Sequence, residues 1–183
     1  MTAAPEPGRL TALSRVLHWL TAILVFCALF IGFVMVNSVG GYATLIMIHW
    51  TLGITILVVV LVRVINRLTH SPPPWPPTVG RLEGKIVALS EVSLYALLLA
   101  QPVIGWAMVS AAGESVVVFG SLRLPRISPF DAQLFWLLRQ AHSVVAYALM
   151  AAIAAHISAI LLHTLTLRDR MIERMTFRLA RRR

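Results

Sequence analysis

The sequence predicts an all-α integral membrane protein: a four-helix bundle of four transmembrane helices with both termini on the cytoplasmic side. Three observations lead there. Of the 183 residues, 58% are apolar and only 13% charged, and the mean hydropathy is +0.82, too apolar for a soluble domain of this size. The apolar residues fall into four runs long enough to cross a bilayer. The formal net charge of +9 is not spread along the chain. No charged residue stands between Arg15 and Arg63, and the basic residues gather at run ends, as topology signals do. This distribution, with no glycine-rich phosphate loop, argues against nucleic acid as a partner and for the lipid bilayer.

Taken in order, residues 1–10 form a short N-terminal tail that the Pro and Gly content leaves mobile. The first span is expected from Thr11 to Val36. It is too long for a signal-peptide core and a second span follows at once, so it reads as retained. Asn37 to Gly41 is a tight turn, and the second span runs from Tyr42 to Asn66. Residues 67–85 carry five prolines and cannot be helical through their centre. The third span is expected from Lys85 to Ser110, with a kink at Pro102. A second long loop covers 111–133, the fourth span runs from Leu134 to Leu167, and 168–183 is a basic C-terminal tail. One four-span domain thus occupies 11–167. The single cysteine, Cys27, excludes an intrachain disulfide.

Of the sixteen Lys and Arg, only Arg123, Arg126 and Arg139 fall on the side away from the termini. The positive-inside rule then puts both termini and the Pro-rich loop in the cytoplasm. Depth follows from topology. His18 lies one or two turns inside the cytoplasmic end of the first span. His156 lies about 17 Å above the cytoplasmic end of the fourth. His49 and His142 lie just inside the outer ends of the second and fourth spans. On one helix, the step from His142 to His156 covers about 21 Å and returns to within about 40° of the same face; His163 drifts about 20° further.

Ionisable groups inside a span are functional candidates by default. The four histidines sort into two pairs at matched depths, His18 with His156 and His49 with His142. Two facing imidazoles in an apolar bundle are the ligand set of a bis-histidine b-type haem, so the pattern points to two haems and to metal ligation by these four residues. Small residues one turn away (Gly53, Ala22, Ala146, Ala152) leave room for a flat ring, although they also suit ordinary helix packing. Zinc fits poorly, wanting three or four converging ligands. For any single histidine the plain alternative is a hydrogen bond to a neighbouring carbonyl. His163 reads either as a proton-handling or quinone-contacting group or as an interfacial histidine. His70 reads as solvated.

Several motifs stand in order along the chain: Arg15-x-x-His18-Trp19, Met47-Ile48-His49 with Gly53, Pro102-Val-Ile-Gly105, and the His142, His156, His163 series. Together, from Arg9 to Arg174, they resemble the bacterial cytochrome b561 family of di-haem, four-helix cytoplasmic (inner) membrane proteins. The resemblance implies haem-iron ligation by His18, His49, His142 and His156. It also implies oxidoreductase chemistry, with electrons passing from superoxide at the outer side to ubiquinone as acceptor. His163 matches a position associated with the quinone site, while Glu91 stands where many relatives carry histidine. Glu91 is a second quinone-site candidate, or else a helix-start carboxylate facing the positive end of the third span. Arg123, Arg126 and Arg139 are candidates for steering a small anion, and Arg139 for pairing with a haem propionate; Arg123 and Arg126 read equally as a solvated loop. The alternative from another class is an electron relay, a cytochrome b subunit that serves a partner dehydrogenase, hydrogenase or c-type cytochrome.

Overall fold

In a computed structural model, residues 10–37, 40–70, 80–167 and 175–176 are described. The tail read over 1–10, apart from its last residue, the Pro-rich centre at 71–79 and nearly all of the basic tail lie outside the described residues. Four helices carry the fold: α1 (Ala12–Asn37), α2 (Tyr42–Thr69), α3 (Arg81–Ala111) and α4 (Ala132–Leu161), the last continued by a π-helical turn at Leu162–Leu167. All four are long and apolar enough to cross a membrane, which makes the protein an all-α integral membrane bundle. Among the described residues, α1 packs on α2, α2 on α3, and α3 on α4.

Local chemistry sets the boundaries. Thr11 precedes α1 and its Oγ1 accepts from the Ser14 amide at 3.2 Å, a side-chain cap for an otherwise orphaned donor. Gly41, at φ 72°, turns the chain into α2, a left-handed conformation that costs glycine little. Both helices of the next connection run further than apolarity alone suggests. α2 continues three residues past Asn66, and α3 begins four residues before Lys85, where the Glu83 carboxylate accepts from the Gly80 amide at 3.1 Å. Polar turns extend a membrane helix beyond its apolar run, so hydropathy reads these ends short. Pro102 sits inside an α3 that continues past it. Asp131 caps α4 by accepting from the Leu134 amide at 2.8 Å, which starts that helix two residues before Leu134.

The loop expected over 111–133 holds a small antiparallel hairpin, β1 (Val117–Val118) with β2 (Leu122–Arg123). Its tip has two left-handed residues in succession, Phe119 at φ 51° and Gly120 at φ 76°. Such mirror-image turns match the twist of a hairpin. The Phe119 amide donates to Thr51 Oγ1 at 3.2 Å, so the hairpin lies along α2 two residues beyond His49. Val116 and Val118 are buried against Val109, with Trp50, Ile54 and Trp106 around them.

The other core cluster crosses the middle of the bundle. Val25, Ile56, Val60, Leu98 and Leu149 are buried together, with contributions from all four helices. Outward positions such as Phe33 and Tyr147 stay exposed, as expected where the surroundings are lipid and no hydrophobic force drives the helices together. The start of α1 also meets the chain beyond α4. Arg15 donates to the Thr176 carbonyl and the Trp19 indole to the Met175 carbonyl, both at 3.0 Å. One end of the bundle therefore carries the start of α1 with residues 175 and 176, here called the terminal end, and the other the hairpin.

The cap at Asp131 yields a direct expectation. Asp131→Ala should cost about 1 kcal/mol of stability, read as an earlier midpoint in a denaturant titration of detergent-solubilised protein. An unchanged midpoint would show that α4 does not depend on this cap.

Candidate functional site: histidine pairs at two depths

The two pairs form as depth predicts. His18 on α1 and His156 on α4 bring their ring centroids to 6.5 Å at the terminal end. His49 on α2 and His142 on α4 reach 6.2 Å at the hairpin end. The mid-bundle cluster separates them: Val25, Ile56 and Leu149 each stand seven residues from a site histidine, and Leu149 is midway between His142 and His156. All four imidazoles are half-buried.

These spacings suit one metal ion between each pair. With each metal–nitrogen bond about 2 Å and each nitrogen ~1.2 Å from its ring centre, two opposed imidazoles have centroids about 6.3 Å apart. Among the described residues no cluster of three or more His, Cys, Asp or Glu side chains could hold a metal. Each pair therefore offers two ligands without a third, which sets zinc aside and suits a metal that brings its own equatorial donors, as haem iron does. Nδ1 of His49 and of His142 are buried with no hydrogen-bond partner among the described residues.

The space around the imidazoles comes from glycines on facing helices. A Cβ at Gly105 of α3 would stand 3.1 Å from His142 Cε1 and 3.3 Å from its Nδ1, and one at Gly32 of α1 would stand 3.4 Å from His49 Cε1. Gly53, expected to make room beside His49, instead faces Pro102, where an added Cβ would meet ordinary contact at 4.0 Å. Spacing along one helix does not disclose Gly32 or Gly105 as neighbours of these rings, because the imidazoles point across the bundle. Gln101, one turn from Gly105, was missed as well. Its Nε2 lies 3.2 Å from His142 Nε2 and donates to the His142 carbonyl at 3.1 Å.

At the terminal end a set of polar contacts surrounds the other pair. Arg63 Nη2 is 3.0 Å from His18 Nδ1, and its guanidinium lies 5.1 Å from the Tyr95 ring centroid. Arg67 grips Glu91 through two bonds of 2.9 and 3.0 Å. Glu91 is thus three turns into the longer α3 and not at the helix start. His163, 7% exposed, places Nε2 at 3.0 Å from Glu83 Oε1. It lies in the π-helical turn, a feature frequent at functional sites. His163 and Glu91 are held by different partners, and Glu83 was not anticipated because it fell outside the expected third span. His70 is exposed at the C-terminus of α2, with Nδ1 at 2.9 Å from Thr69 Oγ1.

The expected outer cations share the hairpin end with His49 and His142. Arg123 is exposed on β2. Arg126 Nη1 donates to the Gly113 carbonyl at 3.5 Å. Arg139, one turn before His142, is exposed and lies 5.6 Å from the Trp136 ring centroid.

Comparison with known proteins shows the family. The family model for prokaryotic cytochrome b561 matches residues 9–178. A probable superoxide oxidase CybB of Yersinia pestis is 32% identical over 170 residues, covering 87% of this chain and 90% of that protein. Cytochrome b561 homolog 2 of Escherichia coli strain K12 is 30% identical over 129 residues, covering 68% of each. Cytochrome b561 homolog 1 of the same strain is 26% identical over 162 residues, covering 87% of this chain and 92% of its own. A four-span bundle with a matching family model over nearly its whole length identifies the chain as a member of the prokaryotic cytochrome b561 family, a multi-pass membrane b-type cytochrome that transfers electrons.

Proposed function

We propose that the protein carries two b-type haems, one held by His18 and His156 and one by His49 and His142, and moves electrons from superoxide to ubiquinone across a bacterial inner membrane. The observation that carries this reading is the pair of imidazole separations, 6.5 and 6.2 Å, at two depths of one bundle. A haem held by two imidazoles supplies one-electron ferric–ferrous exchange and offers no open position for oxygen. The relative named as a probable superoxide oxidase supports the choice of donor.

The reaction balances as two superoxide anions giving two dioxygen molecules and two electrons, which with two protons convert ubiquinone to ubiquinol. This chain's residues divide the work. His49 and His142 hold the site nearest the donor, and Gly32 and Gly105 keep room beside their rings. Arg123, Arg126 and Arg139 place positive charge at the same end, where it attracts a small anion and raises the encounter rate in a salt-dependent way; Arg139 is also the candidate partner of a haem propionate. The mid-bundle cluster excludes water between the two sites. At the terminal end the His163–Glu83 pair holds a proton between Nε2 and Oε1, close to where a membrane quinone must be protonated. Glu91, neutralised by Arg67, serves as a structural partner in that neighbourhood. The excess of Lys and Arg toward the termini supports a cytoplasmic position for that end.

A pyridine haemochrome assay on purified protein should give about two haems per chain. His49→Ala and His142→Ala should each remove one and the same haem, and His18→Ala and His156→Ala the other. Loss in a crossed pattern, with His18 grouping with His142, would overturn the assignment. His163→Leu should keep both haems while quinone reduction falls ~100-fold, the scale of a lost proton donor. Unchanged turnover would retire that role.

A further inference from the structure

We propose that Arg63 holds the potential of the haem at His18 and His156 above that of the haem at His49 and His142, and so sets the direction in which electrons cross the bundle. The inference rests on the reading of both histidine pairs as haem sites.

Two arginines stand one turn apart near the cytoplasmic end of α2, and they are treated differently. Arg67 is matched by the Glu91 carboxylate through two hydrogen bonds. Arg63 faces α3 one turn further along, where Tyr95 occupies the position that would repeat Glu91. An aromatic face attracts a guanidinium without cancelling its charge. The ion pairs formed among the described residues are Arg67–Glu91 and His163–Glu83, and neither involves Arg63. Its charge therefore stays uncompensated in a half-buried position inside a span, where such charge is costly and marks function. That charge touches the His18 imidazole at 3.0 Å.

The hairpin-end pair has no equivalent. The polar group against His142 is the neutral Gln101 amide, and Arg139 is exposed and set against Trp136. The two sites share a ligand set and differ in the charge beside it. Reduction adds one negative charge, so a fixed cation nearby favours the reduced form, most strongly where the dielectric is low. The terminal-end site becomes the better acceptor, and electrons entering at the hairpin end run towards His163 and the termini. A guanidinium only donates, and an imidazole bound through Nε2 carries its hydrogen on Nδ1. Beside a ligated His18, Arg63 therefore turns its N–H groups to another acceptor. In either arrangement the charge remains beside the same ring.

The test is an equilibrium redox titration of purified protein followed by its visible spectrum, with haem per chain counted on each sample. His156→Ala identifies which of two waves belongs to the terminal-end site, since that wave disappears. Arg63→Gln should move this wave to lower potential and leave the other in place, and Arg63→Lys should restore most of the shift. Tyr95→Glu, which sets a carboxylate against an intact Arg63, should lower the same wave and covers the case in which Arg63→Gln does not retain haem. Parental potentials in Arg63→Gln or Tyr95→Glu, a shift in the other wave, or an equal shift in Arg63→Lys would overturn the proposal. Fewer than two haems in the unmodified protein would instead overturn the reading of the sites.

Discussion

Hydrocarbon cannot satisfy a polar group, and this constraint governs the whole structure. Within the spans, hydroxyls turn back onto their own helices: Thr21 donates to the Leu17 carbonyl and Ser110 to that of Trp106. Charges find counter-charges, as Arg67 does in Glu91. Against that discipline the exceptions carry information. Among the described residues, Nδ1 of His49, Nδ1 of His142 and Oε1 of Gln101 are buried without a hydrogen-bond partner at one site, and Thr164 Oγ1 is a further case at the other end of α4.

The same constraint explains what the sequence disclosed and what it withheld. Spans were legible because their interiors lack charge, and the pairing of His18 with His156 and His49 with His142 followed from depth alone. Three classes of feature were not legible. Helix ends built from polar turns, such as 81–84, lie outside any apolar run, so Glu83 and its bond to His163 were hidden. Contacts across the bundle depend on rotation about each helix axis, which spacing along one chain does not fix; hence the closeness of Gly32 to His49 and of Gly105 to His142 was not legible. The hairpin at 117–123 is hidden in the sequence because two-residue strands show no periodicity. Its turn carries Phe119 where Asn or Asp is usual.

The bundle joins two unlike kinds of order. Its centre is a conventional apolar cluster fed by all four helices, while the levels on either side are furnished with imidazoles, glycines and hydrogen-bonding groups. Separating the sites by one packed layer keeps each local environment distinct. A neutral amide on one side and a guanidinium on the other can then act on their own imidazoles. On the proposed assignment, one ligand set serves two tasks because the surroundings, and not the ligands, differ.

Both pairs draw one imidazole from α4, and α4 follows the other three helices in the chain. Neither pair can exist while only α1 to α3 have been made. On the proposed assignment of both pairs as haem sites, cofactor loading follows the entry of the fourth helix into the membrane. The docking of residues 175 and 176 on Arg15 and Trp19 comes later still. A chain interrupted before α4 would carry half of each site and complete neither, which ties pigment to full-length synthesis.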